Sequence, residues 1–272
     1  MERSLSGMLF LVAAVAISLS AGAWWMNRIV FTPDATRATT AAILQEPDIR
    51  LEINSVVAAA SAPVLGTTVP ELGVFIETQV LSTRAGAAMM GPIVEEAHRR
   101  IIGEGDDRPI RLTGVQMIDI VRDQRAAEVP TVTLPIEEIG VLATTRSMLG
   151  WLFRIGAVLG MLLMLLGIFA RPERRDVLRG LGEFSVALAA SMLLFGYLLP
   201  VHLIPAIDNR TWTHAIPRLA MRTLPVVLGS AAVFTAAGVV LILASTSGGK
   251  RRQWSTPLSV ARYRGGDNPG WG

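Results

Sequence analysis

Four stretches of the chain, residues 5–26, 148–170, 184–207 and 224–245, are dominated by apolar side chains. Each supplies the roughly 20 residues needed to cross a ~30 Å hydrocarbon layer as a helix. A fifth apolar stretch, 53–69, carries too many polar residues and is broken by Pro63, so it does not qualify. Between the first and second spans the pattern changes to short amphipathic elements. Residues 34–47 read as a helix starting after Pro33 and broken at Pro47, and 49–60 fits helix or strand, with Pro63, Gly66 and Pro70 interrupting it. Residues 71–82 and 85–102 show helical spacing, as in Met89, Ile93, Ala97 and Ile101, with Gly103 as a natural stop. A turn at 105–107 follows. Ile110, Arg111 and Leu112 alternate as a short strand, 115–127 forms an amphipathic helix, and 131–134, bounded by prolines, reads as a second strand. Residues 136–147 lead helically into the second span. The expected fold is an all-α membrane protein: four transmembrane helices with a mostly helical extracytoplasmic domain between the first and second. Its parts are span one at 1–26, the domain at 27–147, spans two to four within 148–245, and a basic tail at 246–272.

Composition supports the membrane assignment. Hydrophobic residues make up 51% of the 272 residues and charged ones only 17%, against about 25% charged in soluble domains. The charges divide by compartment, with net −5 over residues 27–147 and net +8 elsewhere. Basic charge therefore belongs to the membrane flanks and does not point to nucleic acid. Arg171, Arg174, Arg175 and Arg179 crowd the loop between spans two and three, and Lys250, Arg251, Arg252, Arg262 and Arg264 crowd the tail. The excess of positive charge on cytoplasmic flanks places both inside, with both termini cytoplasmic and residues 27–147 outside. Trp24, Trp25, Trp151 and Trp212 then fall at the outer boundary, where indole rings favour the interface. A cleaved leader is the competing reading of span one, from Arg3 and the Ala21-Gly22-Ala23 sequence. Its apolar run is longer than a usual signal core, which favours a retained span. All basic residues but Lys250 are Arg, a skew that fits high-GC bacterial coding, and the expected location is a bacterial plasma membrane.

The residues available for chemistry are few. There is no cysteine, which removes disulfides, thiolate nucleophiles and Cys-ligated metals. Glu95 and His98 have the Glu-x-x-His spacing of di-iron bundles, but the companion motif and carboxylates are missing, so both read as solvated residues of an amphipathic helix. Arg154 lies inside span two and His202, Asp208, Arg210 and His214 cluster at the outer end of span three. Intramembrane charge marks a functional candidate, and Arg154, His202 and Asp208 are retained as a polar site, set against snorkelling and helix capping. Ser247-Gly248-Gly249-Lys250 is no phosphate loop, because Arg251 stands where Ser or Thr would hold magnesium. Ser18 and Gly22 in span one and Gly156 and Gly160 in span two form small-residue stripes that let helices approach closely, within the chain or against a partner. No catalytic, cofactor or metal set is expected.

A resemblance adds a partner class. One span, then Glu95-Glu96-Ala97-His98-Arg99-Arg100-Ile101-Ile102-Gly103, the strand Ile110-Arg111-Leu112, a helix, and a second span closed by Arg171-Pro172-Glu173-Arg174-Arg175 resembles a group of actinobacterial four-span membrane proteins. The resemblance covers residues 1 to about 245 and consists of order and composition. Within that group the chain is similar to LucB-like accessory subunits of mammalian-cell-entry (Mce) lipid importers. This implies a non-catalytic accessory subunit beside the permease of an ABC-type lipid (fatty acid) importer, in contact with membrane lipid, and carries over no functional residue. Two alternatives stand beside it: a small transporter or channel built on Arg154 and the His202–His214 segment, and a membrane enzyme acting on lipid or cell-wall precursors through carboxylates such as Glu137 and Glu138.

Overall fold

The computed structural model describes residues 2–33, 37–104, 108–169, 174–208 and 210–253. Four helical segments are long and apolar enough to cross a membrane: Met8–Val30, Gly140–Gly167, Val177–Ile207 and Thr211–Thr246. The protein is a multi-pass membrane protein. Span one is α1 (Glu2–Val30) and span two α8 (Gly140–Phe169). Span three comprises α9 (Arg174–Leu193), a π-helical stretch (Leu194–Leu203) and α10 (Ile204–Ile207), and span four is α11 (Ala215–Gln253) after a 3₁₀ turn (Thr211–His214). The helix of span three starts ten residues before the apolar run, so Arg174, Arg175 and Arg179 sit on helix and not in a loop. Pro200 accounts for the π stretch: it has no N–H to donate, and the widened turn accommodates it without breaking the helix.

The spans pack in the spatial order two, one, three, four, with α1 between α8 and α9 and α11 against α9. Small residues make this possible. A Cβ at Gly160 would lie 2.6 Å from Ile17 Cγ1, one at Gly156 would lie 3.1 Å from the Ala16 carbonyl oxygen, and one at Gly22 would lie 2.3 Å from Ser191 Oγ. Two hydroxyls tie the same surfaces: Ser20 Oγ donates to the Phe153 carbonyl at 2.8 Å, and Ser191 Oγ donates to that of Ser18. Both stripes therefore meet helices of their own chain.

The inter-span domain holds α2 (Arg37–Ile43), α3 (Pro47–Leu65), α4 (Val69–Ile76) with a π turn (Glu77–Leu81), α5 (Arg84–Met89) and α6 (Gly91–Ile101), then β1 (Ile110–Leu112), α7 (Gly114–Val121), a 3₁₀ turn (Gln124–Glu128) and β2 (Val132–Leu134). The strands pair antiparallel, Arg111 opposite Thr133. Ile49, Ile53, Ile76, Met90, Leu112 and Met117 are among the buried residues of its core. Three expectations need correction. Residues 49–60 belong to one helix that passes through Pro63 and stops at Gly66, whose φ of 68° is a left-handed cap; Pro63 lies in the last turn, where it disrupts little. The helix expected to reach 127 ends at Val121, because Arg122 turns left-handed (φ 60°) and Asp123 accepts from the Arg125 N–H to start a new turn. Residues 135–139 are not helical, and the Ile139 N–H donates to the Ile101 carbonyl. Gly103 does stop α6, with φ 67°. The turn at 105–107, Arg171 and the tail beyond Gln253 lie outside the described residues.

Close packing on α1 predicts an asymmetry between glycines. Gly160→Ile is expected to cost about 1–3 kcal/mol through overpacking, whereas Gly229→Ile, where a Cβ meets nothing within 4 Å, is expected to be close to neutral. Melting temperatures of the two variants in one detergent check this.

Candidate functional site

Polar side chains gather where the inter-span domain meets the spans. The last carbonyls of α1 have no intrahelical partner, and one is capped from a distance: His98 of α6 sits 2.7 Å from the Val30 carbonyl oxygen through Nε2. A carbonyl only accepts, so this ring nitrogen carries the proton. His98 is 3% exposed, which overturns its reading as a solvated residue. Its position follows from the helix, since Val94, Ile101 and Ile102 lie four before and three and four after it on the buried face. Burial pushes the His98 imidazole below its ordinary value, opposed by the bond to Val30 and the nearby Glu104 carboxylate. Glu95 pairs instead with Arg99, one turn on. The Glu-x-x-His pattern thus splits into a surface ion pair and a buried cap, and holds no metal as a pair.

Further ties fix the domain to spans two and four. Arg146 of α8 pairs with Glu104 at 2.9 Å. Arg218 and Arg222 of α11 donate to Glu46 (3.1 Å) and Thr39 (2.7 Å), and Arg210 donates to the Glu138 carbonyl at 3.4 Å. Trp212 Nε1 donates to Glu52 at 3.3 Å. Trp212 is buried beneath the domain, so it is not the interfacial anchor expected of it; Trp24 and Trp151 are exposed at 44% and 61% and fit that role.

The polar segment at the end of span three does not form one site. Asp208 holds its neighbour Arg210, accepting from its N–H at 3.0 Å. His202 is exposed and stands edge-on to the Tyr197 ring, 5.3 Å between centroids. His214 instead approaches Glu46 and Asp48, with one ligand-type atom from each within 4.8 Å of the others. Glu46, His214 and His202 border a cavity of about 360 Å³. Arg218 pairs with a Glu46 oxygen at 3.1 Å, an ionic tie between domain and span four.

Arg154 lies apart. It is exposed on α8 and has no hydrogen-bond or ion-pair partner among the described residues. It borders a cavity of about 380 Å³ with Asn27, Arg146, Ser147, Gly150 and Trp151. Arg154, His202 and Asp208 are therefore three separate positions. No family model, curated protein or solved structure matches the chain.

The His98 cap predicts a pH dependence. Above 6.5, the ordinary value of the group, folded and unfolded chains both hold it neutral and its contribution is complete. As pH falls below 6.5 the unfolded chain takes up the proton first, so stability declines down to the lower folded value. His98→Ala leaves the Val30 carbonyl unpaired, with an expected cost of about 1–3 kcal/mol near neutral pH. The difference in melting temperature between wild type and variant should shrink between pH 7 and pH 5.

Proposed function

We propose that the chain is a non-catalytic accessory subunit of a cell-envelope transport complex in a bacterial plasma membrane, its termini cytoplasmic and residues 27–147 outside. The specific class is an Mce-type lipid (fatty acid) importer, with the permease of an ABC-type importer as partner and membrane lipid as surroundings. The observation that carries the reading is the locked junction. His98 of α6 bonded to the end of α1, Arg146 on α8, and Trp212, Arg218 and Arg222 at span four hold the domain in one orientation over the spans. A domain held at a fixed orientation presents a constant surface to a partner, which suits association. The ionisable groups that make these ties, His98, Glu104, Arg146, Glu46 and Arg218 among them, are engaged with one another or with backbone, so they serve structure before chemistry. The small-residue stripes are consumed within the chain, which leaves the apolar outer flanks of α8 and α11, with Val158, Leu162, Val233 and Val240 exposed, as the surfaces for lipid or a partner subunit. Orientation rests on the arginines of 171–179 and the basic tail.

Purification in mild detergent followed by mass spectrometry of associated chains tests the role. Co-purifying permease and ATPase subunits are the expected result, and a monodisperse chain that transports or turns over lipid by itself contradicts it. The native chain lacks cysteine, so Ser55→Cys, exposed on α3, reports the orientation. An impermeant maleimide is expected to label it in intact cells, and labelling only after permeabilisation reverses the assignment.

A further inference from the structure

We infer that the notch around Arg154 is a binding site for the phosphate headgroup of an anionic phospholipid, in the leaflet on the side of the inter-span domain. Arg146, Gly150 and Arg154 follow one another at four-residue intervals and so lie on one face of α8. The glycine in the middle leaves a gap between the two guanidinium side chains, and a Cβ there would meet nothing within 4 Å. Asn27 of α1, Ile102 and Gly103 close the far side of the cavity, and Trp151 stands exposed at its rim.

Charge defines the ligand. Arg146 is balanced by Glu104 at 2.9 Å, but Arg154 has no counter-ion among the described residues. An unbalanced guanidinium one turn below an interfacial Trp is costly unless an anion meets it. One phosphodiester supplies the single negative charge that completes the balance, and a guanidinium matches its oxygens bidentately. Ser147, exposed at the same cavity, adds a hydroxyl that donates to a phosphate oxygen. The site depends on α8 and its neighbours alone, and it stands whichever complex the chain joins.

The test is lipid binding to the full-length protein by native mass spectrometry, titrating phosphatidylglycerol and phosphatidylcholine separately. Wild type is expected to prefer phosphatidylglycerol by about tenfold or more. Arg154→Gln should remove the preference, and Arg179→Gln, on the opposite side of the membrane, should keep it. Gly150→Leu, whose Cβ meets no atom within 4 Å, projects its side chain into the notch, so it should also remove the preference, and it decides the matter should Arg154→Gln fail to fold. Absence of a preference in wild type, or its survival in Gly150→Leu, overturns the proposal. A third arm titrates inorganic phosphate. Saturable phosphate binding that disappears in Arg154→Gln, without any lipid preference, assigns the notch to a soluble anion and overturns the lipid as its source.

Discussion

The structure depends on the close approach of α1 to the helices on either side of it. Within lipid there is no hydrophobic force between helices, so association rests on van der Waals contact and on hydrogen bonds that few side chains can make. The glycines at 156 and 160 bring the backbone of α8 onto α1, Gly22 brings α1 onto span three, and Ser20 and Ser191 add one bond on each side. Span four joins by the same means, since a Cβ at Gly182 would lie 2.8 Å from the Gly238 carbonyl oxygen. The first helix of the chain is thereby an inner element, and the order of the spans in space differs from their order in sequence.

That placement brings the end of α1 under the inter-span domain. A helix end buried without partners is costly, and here the domain supplies the partner through His98 while its core continues onto Met26, Val30 and Phe31. Domain and spans are consequently one hydrophobic and hydrogen-bonded unit. The ties from Arg146, Arg218 and Arg222 are individually modest, because exposed ion pairs contribute little. Their value is geometric, as they tie one domain to two separate spans, the second and the fourth.

Spans, strand pair and the stop at Gly103 were legible because each depends on local composition: apolar length, alternation, and a residue tolerant of positive φ. The small-residue stripes were legible as packing faces, but not their partners, since lipid and protein both accept an apolar helix surface. Residues 49–60 read ambiguously because Ile53, Val56 and Val57 favour strands as readily as a buried helix face. The early end of α7 at Arg122 was hidden by a residue type that seldom turns left-handed. His98 was misjudged by attention to its chemistry, although its neighbours at helical spacing are apolar. Trp212 was misplaced for a related reason: an indole satisfied by Glu52 under a domain and one resting at a lipid interface look the same in sequence.

The ties at the junction make domain and spans move as one body. Pulsed electron-spin distance measurement tests it directly, because the native chain has no cysteine and Leu51→Cys with Val226→Cys places exposed labels on α3 and α11. A single narrow distance distribution, the same in detergent and in lipid nanodiscs, is the predicted result. A broad or two-peaked distribution that shifts with the surroundings would contradict the locked junction and with it the reading of the domain as a fixed surface.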